Sequence, residues 1–237
     1  MITAKRILAL AIVMTAAMAM VSTALGQGET SEFLFYGYSK YVSGDPDGVG
    51  SVMDVYGIMT EVGGVAFPIP IDMLNFEYTV HVSGMVVASY SNEPPTVLNL
   101  GYNSGEIRIY KDALAGGTLA DYANPSTFTD GELILHATVQ DGWTALLFDF
   151  DTNFIFAGSG SGACDFIGGS QLGDLVTNEY YLEDWGYLGT PVADPNPGQG
   201  LVVPDGYDRV FDVKLTPPND PTSSDPASWG EIKSLYR

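Results

Sequence analysis

Leu74-Asn75-Phe76-Glu77-Tyr78-Thr79-Val80-His81-Val82 carries an apolar side chain at every second position. Leu74, Phe76, Tyr78, Val80 and Val82 fall on one face, and Asn75, Glu77, Thr79 and His81 on the other. Period two over nine residues is the pattern of a strand with one buried and one wet face. Gly84 interrupts the alternation, which predicts a bulge or bend, and Met85–Ser89 resumes it. Working outward, Tyr207–Leu215 repeats the pattern, with Phe211, Val213 and Leu215 facing in and Asp212 and Lys214 facing out. Glu32–Val42, Ser51–Met59, Gly105–Tyr110 and Glu132–Val139 are shorter strand candidates. Trp143–Phe150 is apolar on both faces, as expected of a strand covered on both sides. Asp141-Gly142, between Val139 and Trp143, predicts a hairpin turn, because such turns need residues that tolerate positive φ.

Helix signals are few. Lys111–Ala123 has room for a short helix that Gly116-Gly117 weakens and Asn124-Pro125 stops. Spaced strands, frequent glycine turns and no βαβ rhythm predict an all-β fold, an antiparallel β-sandwich with the jelly roll as one form of it. Residues 27–215 make one such domain. Residues 216–227 (TPPNDPTSSDPA) read as a Pro-rich linker. In the segment 228–237, Ser228 and Glu231 form a capping box. This predicts a short amphipathic helix whose Trp229, Ile232, Leu235 and Tyr236 are the candidate interaction residues.

Residues 1–26 read as a secretory signal peptide. Lys5 and Arg6 are followed by an apolar run from Ile7 to Val21 and by Ala24-Leu25-Gly26, a small-residue cleavage site. This predicts a secreted protein, extracellular or periplasmic, with no membrane span after signal removal. The 237 residues hold 9 Lys+Arg against 29 Asp+Glu, a formal charge of −20. Loss of Lys5 and Arg6 with the signal leaves seven basic residues against 29 acidic ones, a charge of −22. So few cations do not neutralise a run of phosphates, which argues against nucleic acid as a partner. The single Cys164 excludes an intrachain disulfide framework and reads as a small buried hydrophobe.

The candidate chemistry is sparse. His81 and His136 fall in predicted strands, where outward-facing polar side chains are the rule, and a metal shared between them requires those strands to be neighbours. Twenty-nine acids supply many carboxylate pairs for glycoside hydrolysis, and none stands out. Asp45-Pro-Asp-Gly-Val-Gly is a fragment of a calcium loop without its later ligands. Asp149, Asp151 and Asn153 alternate, so on a strand they share a face that suits Ca²⁺. Glu179–Tyr187 places Tyr180, Tyr181, Trp185 and Tyr187 among three acids, a composition that stacks on sugars or packs a loop on a sheet.

Three segments carry a resemblance. They are Ile107-Arg-Ile-Tyr-Lys-Asp, Ala115-Gly-Gly-Thr-Leu-Ala-Asp-Tyr and Pro125-Ser-Thr-Phe-Thr-Asp-Gly-Glu-Leu-Ile-Leu135. Over about residues 105–175 they resemble exported bacterial β-sandwich proteins of the PEP-CTERM-associated type, whose sorting tail is not matched here. The resemblance implies an exported β-sandwich and brings no active-site residues. Together these readings predict a secreted or cell-envelope-associated, non-enzymatic structural or interaction protein with an extracellular protein or glycan as partner. The alternatives are a carbohydrate-binding module, with or without Ca²⁺, and a glycoside hydrolase-like enzyme.

Overall fold

The computed structural model describes residues 32–45, 48–63, 69–93, 97–140, 143–149, 155–175, 177–188 and 203–217. The signal segment 1–26, most of the linker 216–227 and the tail 228–237 lie outside them. Ten strands follow one another: β1 (Glu32–Ser43), β2 (Val52–Gly63), β3 (Phe76–Glu93), β4 (Val97–Tyr102), β5 (Glu106–Ala113), β6 (Glu132–Val139), β7 (Trp143–Asp149), β8 (Ile155–Gly168), β9 (Glu179–Leu188) and β10 (Arg209–Thr216). Two 3₁₀ turns, Pro125–Phe128 and Leu172–Asp174, complete the described elements. The short helix expected in Lys111–Ala123 does not form: β5 runs on to Ala113 and turns follow.

All pairings are antiparallel. β1, β2, β3, β5, β6, β8, β9 and β10 each pair with the next, and β10 returns to β1. The sheet therefore closes into an eight-stranded up-and-down barrel, not the sandwich that the strand pattern suggests. The physical reason is that alternation dictates one apolar face per strand, which serves a sandwich and a barrel equally well. Pairing Phe33 with Leu215, more than 180 positions along the chain, decides the matter by leaving no edge.

Two further strands extend the barrel wall at one end. β4 pairs with the second half of β3 and with β7, and β7 pairs with the first half of β8. β4 continues the line of β5, and β7 the line of β6. The hairpin expected between β6 and β7 is not seen: they do not pair with each other and both lie against β8, while Asp141 and Gly142 themselves lie outside the described residues. β7 has strand neighbours on both sides, β4 and β8.

Among the described residues, apolar side chains pack closely into the lumen. Phe33, Phe35, Tyr78, Tyr102, Phe166 and Tyr180 are each at most 1% exposed, with Met53, Met85 and Leu215 among them. Eight strands leave an interior just wide enough for side chains to fill. Ile69, Leu172 and Leu175 pack onto this core from the loops at one end. Cys164 is fully buried here, as its sequence context suggests, and burial raises its thiol pKa far above the ordinary range. Leu74 departs from its expected place on the apolar face. It is 90% exposed, because Asp72 accepts its N–H at 3.2 Å and holds the chain in a turn before β3 begins.

A second cluster covers the outer face of β1 and β2. Tyr56, Phe128 and Tyr207 are buried together, with Tyr38 and Tyr122 against them. The loop 114–131 leaves β5 and straps back across β3. Ala120 N–H donates to Glu77 at 2.7 Å, the Thr79 hydroxyl donates to the Phe128 carbonyl at 2.8 Å, and the Tyr122 hydroxyl reaches the Tyr36 carbonyl at 3.4 Å. Lys40 lies over the rings of Tyr56 and Tyr207, 5.0 and 5.4 Å from their centroids.

Candidate functional site

Because the lumen is packed, polar chemistry falls on the outside of the wall. Register aligns one lateral row there: Tyr38 opposes Tyr56, Tyr56 opposes His81, His81 opposes Arg108, and Arg108 opposes His136. Their parity points all five away from a lumen lined by their apolar neighbours. Both histidines of the chain therefore share one row, with the Arg108 strand between them. Two strand spacings, about 9.5 Å, separate their backbones. Among the described residues no trio of His, Cys, Asp or Glu comes together as a metal site.

Asp54 anchors one end of the row. Its carboxylate lies 3.5 Å from His81 Nε2 and accepts from the Tyr56 hydroxyl at 3.4 Å and from the Gly84 N–H at 3.0 Å. Tyr56 and His81 stack with centroids 4.5 Å apart and planes 16° from parallel. Burial pushes the Asp54 pKa up, but the hydrogen bonds from His81 and Gly84 outweigh it and hold the carboxyl below its ordinary value. Burial, reinforced by the Asp54 charge, raises the Tyr56 phenol to about 12. Here the expected bulge appears: Ser83 and Gly84 of β3 together oppose the single Asp54 of β2, and Gly84 takes φ +70°.

At the other end Arg108 pairs closely with Glu106 and donates to Ser83 Oγ at 3.1 Å, while His136 Nε2 lies 3.6 Å from Glu106. Burial and then the Arg108 charge lower the His136 pKa. Glu106 does not reverse this, since Arg108 already neutralises it.

Between these groups the wall is broken. β4 ends at Tyr102 and β5 starts at Glu106, so Asn103-Ser104-Gly105 bridges a gap beside the Ser83-Gly84 bulge. The gap is a depression of about 490 Å³ lined by Ser83, Gly84, Asn103, Ser104, Gly105, Glu106, Thr138 and Val139. Ser104 Oγ donates to the Gly84 carbonyl at 3.0 Å, and the Val139 N–H donates to the Gly105 carbonyl at 2.9 Å. These bonds tie the floor to β3 and β6.

The residues singled out from sequence do not assemble. Tyr180 points into the lumen, 1% exposed, packed on Phe166 with centroids 5.1 Å apart. Tyr181 faces the other way, and its hydroxyl donates to Glu179 at 2.9 Å. Trp185 and Tyr187 belong to β9 by backbone, and Asp149 to β7; their side chains, with Asp151 and Asn153, lie outside the described residues, as do Trp229, Ile232, Leu235 and Tyr236. The Asp45 carbonyl accepts from Gly48 N–H and Ser51 Oγ in the turn between β1 and β2. Sequence reasoning missed Asp54, Asn103, Ser104, Glu106 and Arg108, although Asn103-Ser-Gly105 is a turn signal in mid-strand, level with Gly84. In comparisons with known proteins, no family model, no curated protein and no solved structure matches the chain.

Proposed function

We propose that this chain is an exported, non-enzymatic interaction protein of the cell envelope or extracellular space, and that it engages its partner through the outer face of the barrel. The observation that carries this reading is the close packing of the described side chains in the lumen. An eight-stranded barrel that carries a ligand inside keeps a cavity there, whereas this one packs Phe33, Phe35, Tyr78, Tyr102, Phe166 and Tyr180 into it. Among the described residues, the polar groups left to recognise a partner lie on the wall exterior. That surface presents Asp54, His81, Arg108, Glu106, His136 and Lys214 outside an apolar interior, the reverse of the apolar-out wall of a lipid-embedded barrel. Export rests on the signal-peptide pattern of residues 1–26 and on the resemblance of residues 105–175 to exported proteins.

Fractionation of cells expressing the full chain, followed by co-sedimentation of the purified protein with washed envelopes, tests the reading. The expected result is protein outside the cytoplasm that binds envelopes saturably. Retention in the cytoplasm, or turnover of a glycan by the purified protein, refutes it.

A further inference from the structure

We propose that the depression at the break between β4 and β5 binds a neutral polyhydroxylated ligand, a sugar ring of a glycan. The inference rests on the reading of this protein as an interaction module, and it names the ligand class and the place.

The lining chemistry selects the ligand. Ser83, Ser104 and Thr138 bring three hydroxyls, Asn103 an amide and Glu106 a carboxylate, around the backbone of Gly84 and Gly105. Hydroxyl, amide and carboxylate together offer both donors and acceptors, which is what a ring of hydroxyl groups requires. Charge removes the competing classes. Glu106 is paired with Arg108, so the site presents no uncompensated charge. With Glu106 already paired, a cationic ligand gains no free carboxylate, and an anionic one meets Glu106 and a protein of formal charge −20. The depression, about 490 Å³ and open to solvent, gives room for one sugar ring lying against the wall.

The frame is built to hold. Gly84 adopts φ +70°, and a Cβ there meets nothing within 4 Å, so this wall stays low and open. Its N–H is fixed by Asp54 at 3.0 Å and its carbonyl by Ser104 at 3.0 Å. The Ser83 hydroxyl is oriented by Arg108 at 3.1 Å. A site whose polar groups are already positioned loses little freedom when a ligand arrives.

The test is amide NMR on the ¹⁵N-labelled mature chain, titrated with methyl glycosides of glucose, galactose, mannose and N-acetylglucosamine, with glucuronate and glucosamine as charged comparators. The expected result is saturable shifts at Ser83–Gly84 and Asn103–Glu106 for at least one neutral glycoside, with the charged comparators several-fold weaker. Asn103→Ala weakens binding by about 3- to 10-fold, the loss of one neutral hydrogen bond. Thr138→Trp, which fills the depression, abolishes it. Asn103 is exposed, so its truncation tests the site even where Thr138→Trp distorts the wall. Shifts confined to other residues, shifts that both variants retain, or none across the millimolar range overturn the proposal. Saturable envelope binding with no glycoside shift sinks this inference alone; loss of envelope binding as well sinks the reading beneath it.

Discussion

Phe128→Ala tests whether the strap 114–131 belongs to the same cooperative unit as the barrel. Phe128 is 0% exposed although it sits outside the lumen, enclosed by Tyr56 at 5.6 Å and Tyr122 at 4.8 Å between centroids. Truncating a fully buried Phe costs about 3–5 kcal/mol, the sum of lost transfer energy and the cavity left behind. The edge-on contact with Tyr56 lies within that figure, at about 0.5–1.5 kcal/mol. With a urea slope of about 2 kcal/mol/M, the unfolding midpoint falls by about 1.5–2.5 M. If the strap alone detaches, the midpoint moves less, and chymotrypsin cuts at Leu119 or Tyr122 before the barrel unfolds. Either outcome requires Phe128 to hold the strap down. Leu119→Ala, at a side chain 49% exposed, is the control and stays within about 0.5 kcal/mol. A Phe128→Ala midpoint and protease pattern indistinguishable from the parent chain refute the packing argument.

Gly84→Ala forces a Cβ into the left-handed region and lowers stability by about 1–2 kcal/mol in urea, whereas Gly173→Ala, with open space around it and no positive φ, does not. Cys164 does not react with Ellman's reagent at pH 8 while the protein is folded and reacts fully in guanidinium; fast labelling of the native protein contradicts its place in the lumen. Asp54 has a lowered folded pKa, so its contribution is present above its unfolded value near 4 and is lost as pH falls through the folded pKa. Asp54→Asn therefore narrows the stability gap to the parent chain at low pH, and a gap constant with pH counts against the Asp54–His81 contact. His136 also has a lowered folded pKa, so stability attributable to it is present above about pH 6.5 and declines below; His136→Gln flattens that slope in pH-dependent melting.

Much of the fold is legible in particular residues. The alternation from Phe76 to Val82 is the inner and outer face of β3, and the break foreseen at Gly84 is a bulge with φ +70°. Phe211 and Leu215 face the lumen from β10. Leu74 misleads because periodicity does not register the Asp72 turn that ends it. The site is less legible. Asp54, His81, Arg108 and His136 come from β2, β3, β5 and β6, and no spacing along the chain links them. Tyr180 and Tyr181 look alike in a run of aromatics, yet strand parity sends one inward and one outward.

Sequence alone determines that this protein is all-β, which residues of its clearest strands share a face, and that it carries a large negative charge. Those properties are local or additive: a period of two follows from backbone geometry, and charge follows from counting. Tertiary structure alone decides that the sheet closes into a barrel, that β4 and β7 extend its wall at one end, and that Phe128 straps its outer face. Closure turns on pairing β1 with β10 from opposite ends of the domain. The energy of such contacts depends on which strands become neighbours, and sandwich and barrel require the same alternation of every strand.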